Sequence, residues 1–218
     1  MHINRQNISR FWPVPRKGTK YLAVASHNQR QSIPLIVVMR DILGLVKTKK
    51  ELKKALNEKQ VKINDKKIHE VNYPVCLFDA LSIGEKNYRA SLSEKKKIIF
   101  EGISEKDAQI KIFKVIGKKI LGKDKVQINL RDGGNVFVKE NVKVGDSIVY
   151  NFRDRKVEKI IKMEKGKTGF VFEGKHAGKK GGISDIIERG GKKLVRIIPD
   201  GETKKINVWT KNVIVMEK

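Results

Sequence analysis

The segment GKHAGKKGG, residues 174–182, has the composition of a loop that binds phosphate groups. A nucleotide-binding phosphate loop needs the spacing G-x-x-x-x-G-K-[ST], so that backbone amides surround the phosphates and a hydroxyl reaches magnesium. Here Gly174 and Gly178 are one residue too close, and Lys180 stands where Ser or Thr is required. Both flanking segments also have the pattern of strands, whereas a phosphate loop precedes a helix. The sequence therefore favours a polyanion other than a nucleotide.

The charge balance of the 218-residue chain indicates which polyanion this is. Lys and Arg number 49 against 24 Asp and Glu, a net charge of +25. Such an excess repels itself and favours a polyanionic partner, most often nucleic acid, whose condensed counterions are released on binding. The alternative is a lysine-rich thermophile protein with a solvated surface, but that class carries balanced acids and bases.

Several other classes of protein are excluded by composition. Cys76 is the only cysteine and excludes a disulfide framework or a cysteine-rich zinc site. The four histidines are scattered without metal-ligand spacing, and no apolar run approaches the roughly 20 residues of a membrane span. We therefore expect a cytoplasmic, non-catalytic protein with no metal, no cofactor, no membrane contact and no small-molecule substrate.

The first predicted segment, residues 1–32, is a basic arm in which Phe11, Trp12 and Tyr21 lie among polar residues. Pro13 and Pro15 exclude a helix there, and only residues 21–25 could form a short strand. Trp12 has two possible roles, stacking on an RNA base or packing on the next domain, and we expect a partner to order the arm. The candidate RNA-binding residues of the arm are Arg5, Arg10, Trp12, Arg16, Lys17 and Lys20.

The second predicted segment, residues 33–97, begins with two helices. IPLIVVMRDILGL predicts a mostly buried helix, and Thr48 with Glu51 forms a capping box for a second helix, KKELKKALNEK. Asn64–Asp65 predicts a hairpin turn in QVKINDKKIHEVNYPV, and FDALSIG predicts a further strand. The candidate RNA-binding residues here are Arg40, Lys47, Lys49, Lys50, Lys53, Lys54, Lys62, Lys66, Lys67 and Arg89, although a charge run on a helix is often only solvated.

The remaining residues predict strands almost throughout. In residues 98–164, Ser104 caps a short helix, and the strands IKIFKVIGKKIL, KVQINL, NVFVK and SIVYNF follow. RDGGN is a hairpin turn in which Asp132, Gly133 and Gly134 are able to take positive φ, and further hairpin turns are expected at 145–146 and 153–155. Residues 165–218 predict about five short strands in a small closed barrel. The fold class is therefore α+β, mostly β and multidomain.

The order of these segments resembles the S4e family of small-subunit ribosomal proteins. HINRQNISRFWPVPRKGTKYLAV, IPLIVVMRDILGLVKTKKE, YPVCLFDALSI, INLRDGGN and VKVGD resemble the family's successive motifs. The resemblance implies an S4-type RNA-binding domain at 33–97, a central β module, and a C-terminal KOW-type SH3-like barrel. In that barrel Gly174, Gly178 and Gly181 would form the structural turn, with Lys175, His176, Lys179 and Lys180 on RNA, unless the turn is merely tight and its lysines incidental.

The chain departs from the family pattern at four points. A further basic segment before His2 is missing, Cys76 replaces a usual glycine, the loop at 174–183 is richer in lysine, and no eukaryotic C-terminal extension follows. The last two departures are typical of an archaeal member.

The resemblance implies a structural constituent of the small (30S) subunit, bound to 16S-type ribosomal RNA and to neighbouring ribosomal proteins. Two alternatives belong to other classes. An S4-domain RNA-modifying enzyme would need an acidic nucleophile in a large catalytic domain, and a KOW-type transcription factor would need neither the S4-type domain nor this charge.

Overall fold

The computed structural model describes residues 2–121 and 126–217 and is mostly β, with short helices and several sheets. The chain divides into two compact units between Lys111 and Ile112. Lys125, the first residue of the predicted strand KVQINL, lies outside the described residues.

The first unit contains three sheets. A two-stranded sheet joins β1 (His2–Asn4) to β2 (Tyr21–Ala23), and a second joins β3 (Ser32–Pro34) to β6 (Pro74–Cys76). The third sheet has the order β5-β4-β7-β8-β9, and its strands are β4 (Val61–Ile63), β5 (Lys66–Lys67), β7 (Ala80–Ile83), β8 (Lys86–Leu92) and β9 (Ile98–Gly102).

Two helices precede that third sheet, as predicted. α1 (Leu35–Val37) continues as the π-helical turn Val38–Ile42, and residues 35–39 are all buried. It begins later than predicted, because Ile33 and Pro34 belong to β3. Gly44 ends the helix at φ +65°, a conformation with little steric cost only for glycine. The second helix, α2, is Lys49–Asn57.

The division between the two units falls after Lys111, and the segment boundary after residue 97 stays a prediction. Residues 98–102 form β9, which pairs with β8 along five residues of each strand. Ser104 then caps α3 (Glu105–Ala108), as predicted, by accepting a hydrogen bond from the Asp107 N–H. Both elements belong to the first unit, because β9 pairs with β8 and α3 contacts β7 and β8.

A buried ion pair connects the turns of the first unit. Asp79 and Lys111 are 4% and 3% exposed, and Asp79 Oδ1 lies 2.5 Å from Lys111 Nζ. The same carboxylate accepts hydrogen bonds from Asn64 Nδ2 (2.8 Å) and from the Cys76 backbone N–H (2.7 Å). It thereby fixes the β4–β5 hairpin turn against the turn that follows β6.

We expect Asp79→Ala to lower the free energy of unfolding by about 3–5 kcal/mol, since it leaves the buried Lys111 charge uncompensated. Urea unfolding of the full chain measures this loss. Glu58→Ala, which removes an exposed carboxylate 3.9 Å from Lys54, is the control and should stay within about 0.5 kcal/mol of wild type. Equal losses in the two variants would contradict a role for the pair.

The second unit contains two five-stranded antiparallel sheets. The central sheet has the order β12-β11-β10-β13-β14, and its strands are β10 (Ile110–Ile120), β11 (Val126–Leu130), β12 (Asn135–Val138), β13 (Ser147–Asn151) and β14 (Lys156–Ile161). The C-terminal sheet has the order β18-β17-β16-β15-β19, and its strands are β15 (Thr168–Val171), β16 (Lys180–Arg189), β17 (Lys192–Pro199), β18 (Ile206–Trp209) and β19 (Val213–Met216).

These strands confirm the predicted ones, with two differences. In the turn after β11 only Gly133 has positive φ (+89°), whereas Asp132 and Gly134 do not. The C-terminal sheet ends at β18 and β19, which the 3₁₀ turn Thr210–Asn212 joins. In the described residues β18 and β19 are the two edge strands of this sheet, so its pairing order is open where a closed barrel was expected.

A buried lysine joins the two sheets of the second unit. Lys114 is 4% exposed, and its Nζ donates to the backbone oxygens of Thr210 and Val213. Burial, assisted by the charge of Arg131 and opposed by that of Asp146, lowers the pKa of Lys114 to about 7. A neutral amine still has two N–H groups, which match the two carbonyl oxygens.

The lowered pKa of Lys114 predicts a pH-dependent stability. Between about pH 7 and 10.5 the unfolded chain binds a proton that the folded chain does not, so the free energy of unfolding should rise with pH. Below pH 7 the full penalty of charging the buried amine applies. The difference between wild type and Lys114→Met should change by up to about 1.4 kcal/mol per pH unit across this window. Denaturant unfolding at pH 7 to 10 measures it, with the exposed Lys119→Met as the charge-matched control, and a constant difference would refute the titration.

Candidate nucleic-acid interface

The most cationic element of the first unit is α2. Leu52 and Leu56 are buried at 0% and 1% exposure, which fixes the inward side of the helix. The helical period of 3.6 residues then places Lys49, Lys50, Lys53 and Lys54, all exposed, on its other sides. We call these four residues the α2 lysine face.

The start of α2 is fixed by the predicted capping box. Thr48 Oγ1 accepts a hydrogen bond from the Glu51 N–H (3.3 Å), and Glu51 Oε2 accepts one from the Lys47 N–H (2.7 Å). The Lys47 amide, with the Thr48 hydroxyl as a further donor, lowers the pKa of Glu51. The single carboxylate within this lysine-rich helix thus binds backbone at the start of the helix rather than pairing with the helix's own lysines.

Ion pairs engage three of the predicted cations near this helix. Arg40 makes two 2.8 Å hydrogen bonds to its neighbour Asp41, which raise its pKa. Lys54 lies 3.9 Å from Glu58, and Lys62 lies 3.7 Å from Asp65. In residues 2–121 and 126–217, no carboxylate lies within ion-pair distance of Lys49, Lys50 or Lys53.

The β4–β5 hairpin follows α2 directly. Asn64 and Asp65 have φ of +51° and +60°, the conformation of a tight hairpin turn that the sequence predicts. Lys62 pairs with Lys67 across the hairpin, and Lys66 and Lys67 are exposed. Helix and hairpin therefore both present cations within the first unit.

Trp12 is not available to RNA. Its side chain is 4% exposed and its Nε1 is buried with no hydrogen-bond partner in the described part of the chain. Of the two predicted roles, packing against the protein is the one observed, and we remove Trp12 from the candidate RNA-binding residues. Within the first unit the arm pairs β1 with β2 and buries Trp12, and ordering of the arm by a partner stays a prediction.

Lys97 holds the arm in place and was missed by the sequence analysis. Its Nζ donates to the backbone oxygens of Arg10 (2.6 Å) and Trp12 (2.9 Å), while the Ile98 N–H donates to the Phe11 oxygen (2.9 Å). Lys97 stands in the run SEKKKIIF, where nothing local distinguishes it from its neighbours.

Two predicted arginines are also engaged within the protein. Arg89 donates from Nη2 to the backbone oxygens of Asp107 (2.6 Å) and Ile110 (3.0 Å), and burial lowers its pKa. Arg5 donates to Pro15 O, Thr19 O and Thr19 Oγ1, which closes the loop of the arm. The predicted cations that stay exposed are Arg10, Arg16, Lys17, Lys20, Arg40, Lys47, Lys49, Lys50, Lys53, Lys54, Lys66, Lys67, Lys175 and Lys180.

The glycine loop, residues 174–182, joins β15 to β16 in the second unit. Gly174 and Gly178 have φ of +96° and +92°, a backbone conformation that glycine adopts at little steric cost. Gly181 has a different reason to be glycine: a Cβ there would lie 2.0 Å from the Ile198 backbone oxygen on β17. The group that comes close to Gly181 is therefore the backbone of the neighbouring strand β17.

The cations of the glycine loop differ in exposure. Lys175 and Lys180 are exposed, His176 is half-buried, and Lys179 forms an ion pair with Glu202. Two lysines therefore remain open to a polyanion at this turn. RNA contact by the loop stays a prediction.

The described residues place two limits on other kinds of site. Within 2–121 and 126–217, no three His, Cys, Asp or Glu side chains come close enough together to hold a metal ion. No helix in that part of the chain is long and apolar enough to cross a membrane.

Comparison with known proteins identifies the family. The model of Ribosomal family S4e matches residues 84–157. The small ribosomal subunit protein eS4 of Nanoarchaeum equitans is 32% identical over 221 residues, covering 98% of this chain and 94% of that protein. The chain belongs to the S4e family. The eS4 protein of Archaeoglobus fulgidus is 30% identical over 225 residues, covering 100% of this chain and 94% of the relative.

A solved S4e structure has the same fold. The crystal structure of the 30S ribosomal protein S4e from Thermoplasma acidophilum superposes with a TM-score of 0.74 at 25% identity, covering 86% of this chain and 96% of that chain. The family resemblance inferred from the sequence motifs is thereby confirmed.

The close approach at Gly181 predicts a sharp contrast between adjacent glycines. Gly181→Ala should destabilise the second unit by about 1–3 kcal/mol or more, because β16 and β17 must separate to admit a methyl group. Gly182→Ala is the matched control, since its Cβ would meet nothing within 4 Å. Thermal unfolding of both variants tests this, and equal melting temperatures would contradict it.

Proposed function

We propose that this S4e-family chain is a structural constituent of the small (30S) ribosomal subunit that binds and orders ribosomal RNA. The observation that carries the proposal is the α2 lysine face, where Lys49, Lys50 and Lys53 have no carboxylate partner among the described residues. A chain with a net charge of +25 gains free energy when a polyanion neutralises such a surface. Relatives named small ribosomal subunit protein eS4 support the choice of polyanion.

The domain assignments belong to the same proposal. Helices α1 and α2 with the β4–β5 hairpin form the S4-type RNA-binding part, and the C-terminal sheet with its glycine loop forms the KOW-type part. The family resemblance supports both assignments, as do the exposed cations of α2, of the hairpin and of residues 175 and 180.

Binding in this proposal is mainly recognition of the RNA backbone. Lysine accounts for 38 of the 49 cations and arginine for 11. Lysine acts as a point charge on phosphate, whereas the planar guanidinium of arginine is suited to bidentate contacts with bases. Phosphate contacts fix the position of a protein on folded RNA without reading its sequence.

The partners and location follow from this role. We propose 16S-type ribosomal RNA and neighbouring ribosomal proteins as partners, the cytoplasmic small subunit as the location, and no catalytic activity. An S4-domain RNA-modifying enzyme and a KOW-type transcription factor remain the alternatives, and family membership favours neither.

Removing charge from the α2 lysine face should weaken RNA binding more than removing the same charge elsewhere in the first unit. Lys50→Gln with Lys53→Gln should reduce affinity for small-subunit ribosomal RNA and lower the slope of log K against log salt by roughly one for each phosphate that is no longer neutralised. Filter binding at several salt concentrations measures both quantities.

The matched control is Lys95→Gln with Lys106→Gln, which removes the same charge from exposed positions elsewhere in the first unit. This control should retain most of the affinity and slope. If both double variants lose affinity equally, binding depends on net charge alone and the α2 lysine face is not a docking surface.

A further inference from the structure

The C-terminal sheet presents an exposed tryptophan in a hollow. Trp209 ends β18 opposite Leu194 of β17 and is 39% exposed, while its neighbour Val208 is 6% exposed and faces the core. Alternation along the strand therefore directs the indole outward. Lys193, Trp209, Thr210 and Lys211 line an open hollow of about 340 Å³, which we call the Trp209 hollow.

The charge of the Trp209 hollow favours an anion. Among the described residues that line it, two are lysines and none is acidic. A hollow of about 410 Å³ in the first unit differs, because Asp65, Glu85 and Glu105 line it together with a single lysine, Lys62. Three carboxylates would repel a phosphate group there, whereas Lys193 and Lys211 would attract one.

The Trp209 hollow is built on fixed backbone. Thr210 Oγ1 donates to the Lys193 backbone oxygen (2.8 Å), which connects the two lysine-bearing segments. From the interior, Lys114 donates to the backbone oxygens of Thr210 and Val213, at the two ends of the 3₁₀ turn after Trp209. Because the backbone is held from both sides, little conformational entropy is lost when a ligand binds.

We propose that the Trp209 hollow binds an unpaired nucleotide of RNA, with the base stacked on the indole and the adjoining phosphate attracted by the lysines that line the hollow. The inference rests on the proposed function, because it takes RNA as the partner. It adds the stacking of a base to the phosphate contacts of the α2 lysine face. Aromatic side chains bind unpaired bases by stacking, and neighbouring cations bind the adjoining backbone. The α2 lysine face offers cations without an aromatic platform, so it suits backbone phosphates alone.

Tryptophan fluorescence tests the proposal directly, because Trp12 and Trp209 are the two tryptophans of the chain. Trp12→Phe in the full chain leaves Trp209 as the sole emitter. The buried Trp12 Nε1 has no hydrogen-bond partner in the described part of the chain, so the change breaks no such bond. A single-stranded oligonucleotide should quench Trp209, and a fully paired RNA hairpin stem of equal phosphate count should quench it far less.

Substitutions at Trp209 separate stacking from apolar packing. Trp209→Phe should keep most of the affinity for the single strand, whereas Trp209→Leu should lose roughly fivefold to a hundredfold, since leucine is apolar but offers no π face. Lys193→Gln with Lys211→Gln should lower the salt slope for the single strand. If Trp12→Phe unfolds, the difference in emission between wild type and Trp209→Phe supplies the same signal.

The results of these experiments distinguish failure of the Trp209 proposal from failure of the proposed function. Equal affinity of Trp209→Leu and Trp209→Phe for the single strand overturns the proposal and indicates a protein-docking patch. Unchanged Trp209 emission on addition of single strand also overturns it, while the proposed function survives if wild type still binds small-subunit ribosomal RNA. Failure of wild type to bind that RNA defeats the proposed function itself.

Discussion

Carboxylates are outnumbered by cations in this chain, 24 to 49, and three of them bind backbone or buried groups rather than surface lysines. Asp79 forms an ion pair with Lys111, and Glu51 accepts a hydrogen bond from the Lys47 N–H at the start of α2. Asp146 accepts hydrogen bonds from the Lys143 and Met163 N–H groups. The folded state therefore has an uncompensated cationic exterior, at the cost of self-repulsion. A polyanion relieves that repulsion, so the distribution of carboxylates connects the stability of the fold to the binding of RNA.

Two buried lysines, Lys111 and Lys114, show two ways to tolerate a buried amine. Lys111 is paired with Asp79 and belongs to a network of hydrogen bonds with Asn64 and Cys76. Lys114 has backbone oxygens as its hydrogen-bond acceptors, and its lowered pKa follows from burial beside Arg131. Removal of a proton lets Lys114 keep two hydrogen bonds without a buried charge, whereas Lys111 has a carboxylate to balance it.

Local signals were enough for about half of the architecture. The α2 capping box, the Asn64–Asp65 turn and the strands of the second unit were predicted because each depends on residues a few positions apart. The pairings of β1 with β2, β3 with β6 and β8 with β9 were missed, since they join segments whose partners no local pattern specifies. The burial of Trp12 and the use of Arg89 as a backbone donor were missed for the same reason. That a lysine or arginine is exposed could be expected from its residue type. Its hydrogen-bond partners could not, because they depend on tertiary contacts.

The glycine loop and the Trp209 hollow illustrate why composition locates charge better than it locates recognition. The loop attracts attention in the sequence through its glycines and lysines, yet protein backbone takes the close approach at Gly181, and Lys179 is paired with Glu202. Trp209 stands in an ordinary strand, and β17 and the 3₁₀ turn together give it a hollow with two cations. Neutralising phosphates requires only lysines, which the chain has in excess. Holding a base requires an aromatic face kept in place by its surroundings, and the buried amine of Lys114 helps to provide this by fixing the turn after Trp209.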